Sequence, residues 1–295
     1  MRAQRKQACR LAVGHALHAA MRSAVASRIM EGRIAFGKFR TMKPTHVVIT
    51  GASSGIGRAC AIAFADIGAN LALWARRSDR LLDLAEQLQS EYDLEVVTQC
   101  VDVRSRDAVA EAVADLPDAF RAPDVLVNNA GLSRGLHPFH EGQHQDWEEM
   151  IDTNVKGLLY VTREFLPGMV TAGKGLVVNI ASIAGRQAYR GGNVYGATKA
   201  AVKLFSDSLQ IDLNGTGVRI CNIDPGLVET EFSEVRFRGD TQRADTVYQG
   251  YQPLTGDDVA ECVIFAATRP QHVSIQDILI TPTAQATVSV VDKKL

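Results

Sequence analysis

No run of 18 apolar residues occurs in the 295-residue chain, which excludes a membrane-spanning helix. No C-x-x-C spacing occurs either. The five cysteines, Cys9, Cys60, Cys100, Cys221 and Cys262, are scattered and odd in number. They read as reduced thiols, so a reducing, cytoplasmic setting is expected and neither a disulfide framework nor a metal set is. Net charge is nearly lacking too. With 32 Lys/Arg against 33 Asp/Glu, the balance of -1 offers no basic field for nucleic acid. No internal repeat, low-complexity tract or long linker divides the chain after Met42. What remains is an ordinary globular composition, 46% hydrophobic and 22% charged, long enough for a sizeable core without staples.

The charge is unevenly spread. Residues 1–41 carry nine Lys/Arg and one acid, Glu31, which leaves 23 basic and 32 acidic residues, a net of -9, for the remainder. This segment is foreign in composition to the rest of the chain. Three readings compete: an organellar transit peptide, a basic and partly helical tail, or sequence outside the functional protein with Met42 as the true start. The third is preferred, because "MKPTHVVITGASSG" opens a strand directly. The expected division is therefore a basic extension over 1–41 and one domain over 42–295.

From Thr45 onward, short β-branched runs alternate with amphipathic stretches of helical period. "THVVIT", "NLALWA", "LEVVTQCV", "PDVLVNN", "GLVVNIAS", "GVRICNIDPG" and "DILITP" read as strands. The stretches between them read as helices, with Gly68 as a stop, Ser78 as an N-cap and one long helix from Trp147 to Val170. Such alternation means βαβ units, and right-handed crossovers put helices on both faces. The predicted fold is α/β: a single doubly wound domain of the Rossmann type, with about seven parallel strands.

"VVITGASSGIGRA" joins the first strand to the first helix, with Gly51, Gly55 and Gly57 spaced G-x-x-x-G-x-G. Absent Cβ atoms let backbone approach a pyrophosphate, and the helix N-terminus favours its charge. This is a dinucleotide cradle in the required context. An acid ending the second strand would take the adenosine ribose of NAD. Arg76 and Arg77 stand there instead, and guanidinium groups suit a 2′-phosphate, so NADP is the expected cofactor. Asp79 lies close enough to serve as the alternative acid.

"YGATK" places Tyr195 and Lys199 one helical turn apart. An ammonium beside a phenol favours phenolate and lowers the tyrosine pKa. Taken alone, the pair reads first as two surface side chains at a common spacing. "HPFHEGQHQ" gathers His137, His140 and His144, but no carboxylate or cysteine completes an obvious metal set, and it reads as a polar loop.

These residues together resemble the short-chain dehydrogenase/reductase family, over about Thr45 to Ala286. The resemblance rests on "TGASSGIG", "NNAG" at 128–131, Asn154 in "MIDTNVKG", Ser182 in "NIASIAG", the Tyr195–Lys199 pair and "DPG" at 224–226. "GGNVYGATKA", "PGLVETEFSEVRFRGD" and "ITPTAQA" are similar to its NADP-dependent 3-hydroxy acid dehydrogenases. The resemblance implies that Tyr195 is the proton donor and acceptor, activated by Lys199, and that Ser182 binds the substrate oxygen. It implies that Asn154 holds a water linking Lys199 to solvent. The cofactor would be held by Gly51, Ser53, Ser54, Gly55, Ile56, Gly57, Arg76 and Arg77. Asp102 and Val103 would meet the adenine, and Asn129, Ala130 and Gly131 its ribose. Pro225, Gly226, Val228 and Thr230 would meet the nicotinamide, with Tyr195 and Lys199.

The expected reaction interconverts a 3-hydroxy acid, such as L-serine or 3-hydroxypropionate, with its semialdehyde or keto form. A substrate lid is expected over about 227–250, and Arg236 is the first candidate for a substrate carboxylate, before Arg238, Arg186 and Arg190. The alternatives are a carbonyl reductase of the same family acting on keto esters, diketones or pterins, and a non-catalytic dinucleotide sensor. The family implies a homotetramer.

Overall fold

The computed structural model describes residues 41–294. The basic extension expected over 1–41 lies outside the described residues apart from Thr41. Seven parallel strands form one sheet in the order β3-β2-β1-β4-β5-β6-β7. They are β1 (His46–Thr50), β2 (Asn70–Ala75), β3 (Val96–Cys100), β4 (Val125–Asn128), β5 (Gly175–Ile180), β6 (Val218–Pro225) and β7 (Asp277–Ile280). The order reverses between β1 and β4. Chain leaving β1 and β4 at their C-terminal ends turns to opposite sides, which opens a crevice there.

Strand periodicity sends alternate side chains to two apolar layers. Val47, Ile49, Leu71 and Leu73 pack with Phe64, Leu84 and Val263. Those belong to α1 (Gly55–Asp66), α2 (Ser78–Glu91) and α9 (Gly256–Ala267). Val48, Ala72 and Trp74 face the other way, against Val109, Phe165, Met169 and Leu209. These belong to α3 (Arg106–Ala114), α5 (Leu158–Ala172) and α6 (Asn193–Asp212). With both faces covered, the central strands are buried at nearly every position, which is why they read as continuous apolar runs.

Local signals account for most boundaries. Ser105 caps α3 by accepting from the Ala108 amide, and Thr255 with Asp258 forms a capping box on α9. Gly68 ends the turn after α1 at φ +75°, a conformation that favours glycine. Two expectations need correction. Arg77, not Ser78, is the N-cap of α2, and Ser78 is its first helical residue. The extended backbone at Arg77 turns its guanidinium back toward the glycine loop. The long helix starts earlier and is not uniform: α4 (His144–Ile151) passes through a π-helical turn (Asp152–Gly157) into α5. Asn154 sits in that wider turn and bonds across to the chain after β4, an anchor that an even α-helical period does not reveal.

After β6 the chain forms α7 (Phe232–Arg236) and α8 (Thr241–Tyr248) before α9. The C-terminal end of α7 is tied to the chain after β4 and to α4. Gly135 donates to the Arg236 carbonyl at 3.0 Å, Arg134 bonds the Val235 carbonyl, and Arg238 pairs with Asp146.

Candidate active site

A cavity of about 390 Å³ lies along the C-terminal ends of β1, β2, β4, β5 and β6. Of the expected catalytic and cofactor-binding residues, all but Gly57 and Asn154 line it. Those two stand directly behind the lining.

The glycine loop is as tight as its composition suggests. Gly51 has φ +67°, and a Cβ there would stand 2.8 Å from Asn129 Nδ2. At Gly57 a Cβ would meet both that atom and the Gly51 carbonyl oxygen at 2.4 Å. Asn129 braces the loop by donating to the Thr50 and Gly51 carbonyls. Ser54, at the N-cap of α1, takes no side-chain cap bond from the helix, so the first amides of α1 are left to a ligand. This cradle fits a pyrophosphate.

The two arginines after β2 differ. Arg77 spends its donors on protein: Ser53 Oγ at 3.2 and 3.3 Å, Ser54 Oγ at 2.7 Å, and Glu231 Oε2 at 2.8 Å. Arg80 reaches the other Glu231 oxygen. Burial works to raise the Glu231 carboxyl, but Arg77 and Arg80 outweigh it and hold it below the usual range. Arg76 is exposed, lines the cavity and makes no ion pair among the described residues. Asp79, the alternative acid, does not line the cavity. Charge and geometry at this end fit a phosphorylated ribose.

At the other end stand Ser182, Tyr195 and Lys199, each no more than 8% exposed. Ser182 follows β5 and is fixed by accepting from the Ala184 amide at 3.1 Å. Tyr195 and Lys199 share one face of α6. Lys199 Nζ donates to the Ile180 carbonyl at 2.8 Å. Asn154 accepts from the Leu132 amide and donates to the Leu132 carbonyl, both at 2.8 Å, and donates to Thr198 Oγ1 at 3.1 Å.

The expected activation of the phenol differs in the protein's own field. Burial pushes Tyr195 up to about 12, while Arg236 and the Ser182 hydroxyl pull against it. Burial likewise pushes Lys199 down to about 8, with Asp224 opposing. Helical spacing makes the two residues neighbours, but it carries no information about desolvation, which disfavours both charged forms.

Of the four candidate arginines, Arg236 alone lines the cavity. Its guanidinium lies 5.4 Å from the Tyr195 ring centroid and 5.1 Å from that of Phe232. It donates to Tyr189 Oη at 3.5 Å, and its buried Nε has no hydrogen-bond partner. Arg238 is taken by Asp146, and Arg186 by Asp224 and Asp277. Arg190 is exposed and does not line the cavity. The histidine loop stands apart: His144 meets Trp147 edge-on, and Trp147 stacks on Phe139.

Sequence reasoning missed Glu231, Tyr189 and Gln285. Gln285 is buried and accepts from the Leu227 amide at 2.9 Å, bracing the chain beyond Gly226. An acid in a polar segment, a tyrosine after a glycine turn and a glutamine near the C-terminus carry no spacing signal. Only Glu231 was accessible, as an acid that two arginines after β2 needed.

The profile of the family described as short chain dehydrogenase matches residues 45–240. The NADP-dependent 3-hydroxy acid dehydrogenase YdfG of Salmonella typhi is 48% identical over 241 residues, covering 81% of this chain and 96% of that protein. Sulfoacetaldehyde reductase 2 of Chromohalobacter salexigens is 46% identical over 241 residues, 81% of this chain and 95% of its own. The closed form of a serine dehydrogenase complexed with NADP+ superposes with TM-score 0.79 at 44% identity, covering 85% of this chain and 100% of that one. With the glycine cradle and the Ser182, Tyr195 and Lys199 cluster on one crevice, the chain belongs to the short-chain dehydrogenase family.

Proposed function

We propose that the protein is an NADP-dependent dehydrogenase that interconverts a 3-hydroxy acid with its semialdehyde or keto form. The observation that carries this reading is Arg236: a cation on the Tyr195 ring, inside the cavity, with a buried and unpartnered Nε. A buried donor without a partner is costly, and a substrate anion beside the reacting carbon would satisfy it. The relatives named for 3-hydroxy acids and for serine support the substrate class.

NADP supplies the hydride acceptor for oxidation, and its reduced form the donor for the reverse. The glycine cradle would hold its pyrophosphate, Arg76 its 2′-phosphate, and Asp102 and Val103 its adenine. Lys199 would bind ribose hydroxyls. Tyr195 Oη takes the proton from the substrate hydroxyl during oxidation and returns it during reduction. A phenol pushed up by burial is a reluctant base, so the positive charges of Lys199 and of the oxidised nicotinamide are needed to lower it. Ser182 Oγ donates to the substrate oxygen as negative charge develops on it. Asn154 fixes the backbone at Leu132 and the Thr198 hydroxyl, and so shapes the wall beside Lys199. The segment carrying α7 and α8 acts as the substrate lid.

A homotetramer fits the surface. Leu159 on α5 and Leu204 and Ile211 on α6 are exposed, and Leu204 and Ile211 keep 69% and 77% of their surface. Light scattering on the eluted protein tests this. The activity is tested with purified protein, NADP or NAD, and a panel of L-serine, 3-hydroxypropionate and neutral alcohols, following cofactor reduction. Sulfoacetaldehyde with NADPH belongs on the panel, because a guanidinium accepts a sulfonate as readily as a carboxylate. Turnover of the acids with NADP is expected, and none on any acid would sink the reading.

A further inference from the structure

A fully buried carboxylate stands behind the reacting groups. Asp224 is 0% exposed, near the C-terminal end of β6. Its Oδ2 accepts from Arg186 Nε at 2.7 Å and pairs with Arg186 Nη2 at 2.5 Å. Its Oδ1 accepts from Asn222 Nδ2 at 3.0 Å. The Ala181 amide donates to the Ile223 carbonyl at 2.8 Å, which carries the pairing of β5 with β6 up to Ser182 and Asp224, the next residue on each chain. Burying such a pair gains little stability over an apolar pair of the same size, so the charge calls for another use.

Strand register places that use. Ile180 is opposite Ile223, so Asp224 is one residue beyond the point where Lys199 Nζ meets the Ile180 carbonyl. Ser182 follows two residues after Ile180. No carboxylate forms an ion pair with Lys199 among the described residues. Of the groups around it, Tyr195 is a neutral phenol one turn back on α6, and Asn154 and the Ile180 carbonyl carry no charge. Asp224, from β6, is the charge that favours the Lys199 ammonium against burial.

Asp224 is itself held by a relay of alternating charges. Arg186 also reaches Asp277 at 3.0 Å, Lys203 reaches Asp277 at 3.2 Å, and Lys203 pairs with Asp207 at 2.6 Å. Burial pushes the Asp224 carboxyl up, and Asp277 adds to this, while Arg186 and the Ser182 amide favour its charged form. The relay runs from half-exposed Asp207 to fully buried Asp224.

We propose that Asp224, anchored by Arg186, is a positioning residue that keeps Lys199 charged and fixes the backbone of Ser182, which rests on reading those two residues as the reacting groups' partners. The assignment goes beyond the Ser182, Tyr195 and Lys199 cluster, and it explains why Arg186 is unavailable to substrate.

The test is a pH titration of Lys199 in the full chain, labelled with ¹³C at lysine Cε and followed by NMR. The Lys199 resonance is identified as the one lost in Lys199→Met. In Asp224→Asn the midpoint is expected to fall by about one unit, the size of a nearby opposite charge. Arg186→Lys, which keeps a cation on Asp224, is expected to leave it unchanged. The alkaline limb of NADPH-dependent reduction is expected to move down with the midpoint, because Lys199 then loses its proton at lower pH. Where Asp224→Asn fails to fold, Arg186→Gln with Asp224→Asn removes both charges and keeps a hydrogen-bonded pair. An unmoved midpoint, or a loss of turnover uniform across pH, overturns the proposal. If the unaltered protein turns over no 3-hydroxy acid, the functional reading fails, and the NMR midpoint still decides the role of Asp224.

Discussion

Arg77 and Glu231, 154 residues apart in sequence, pair at 2.8 Å and join the glycine loop to the segment after β6. Arg76, next to Arg77, makes no such pair among the described residues. The two arginines that look alike in "LWARRSDR" therefore do different work. Arg76→Ala is expected to raise the KM for NADP at least about tenfold, the loss of one charge-assisted phosphate contact, and to leave NAD nearly unaffected. Arg77→Ala is expected to weaken both cofactors alike, because it frees Ser53, Ser54 and Glu231. Steady-state kinetics with the two cofactors separates the variants. Equal loss of NADP selectivity in both would refute the division.

Tyr195→Phe removes the hydroxyl and keeps the ring against Phe232. A positioned proton donor is worth about 10²- to 10⁴-fold, so kcat/KM is expected to fall by that factor. NADPH binding, followed by its fluorescence, is expected to remain. Activity within tenfold of the parent would remove Tyr195 from the chemistry.

Arg236→Ala tests the substrate cation. A hydrogen bond to a charged group contributes about 1.5–3 kcal/mol, so kcat/KM for acid substrates is expected to fall roughly 10- to 150-fold. Neutral alcohols are expected to lose far less. A uniform loss over charged and neutral substrates would instead make Arg236 a packing element of α7.

Lys199 costs stability. Its folded pKa is pushed from 10.5 to about 8 by burial. Below pH 8 both folded and unfolded chains carry the proton, and the folded one bears the whole penalty. Between pH 8 and 10.5 the folded chain gives up its proton first, so stability rises with pH. Lys199→Met is therefore expected to be inactive yet more stable at pH 7, by on the order of 2–3 kcal/mol. The advantage shrinks through that window. Tyr195 acts oppositely, but only between 10 and 12, above both pH values measured, so the difference isolates the lysine. Urea denaturation at pH 7 and pH 10 measures it. An advantage that does not change with pH would mean that the ammonium is not desolvated.

The parts legible in advance were those written in local pattern. Strand runs buried on both sides, the G-x-x-x-G-x-G turn between β1 and α1, and the four-residue spacing of Tyr195 and Lys199 are all short-range. The parts that escaped join distant chain. The π-helical turn at Asn154 follows from bonds to Leu132, and Ser78 lost the N-cap to an arginine drawn back toward Ser53 and Ser54.

The sequence alone determined the doubly wound sheet, the glycine cradle and the one-turn neighbourhood of Tyr195 and Lys199, because periodicity, turn chemistry and residue type are properties of adjacent residues. Only the tertiary structure decided which arginine is free, that burial at Tyr195 outweighs Arg236 and the Ser182 hydroxyl, and that Asp224 lies one register step beyond the carbonyl that holds Lys199. Desolvation and through-space charge depend on what the rest of the chain brings near, and no local spacing records that.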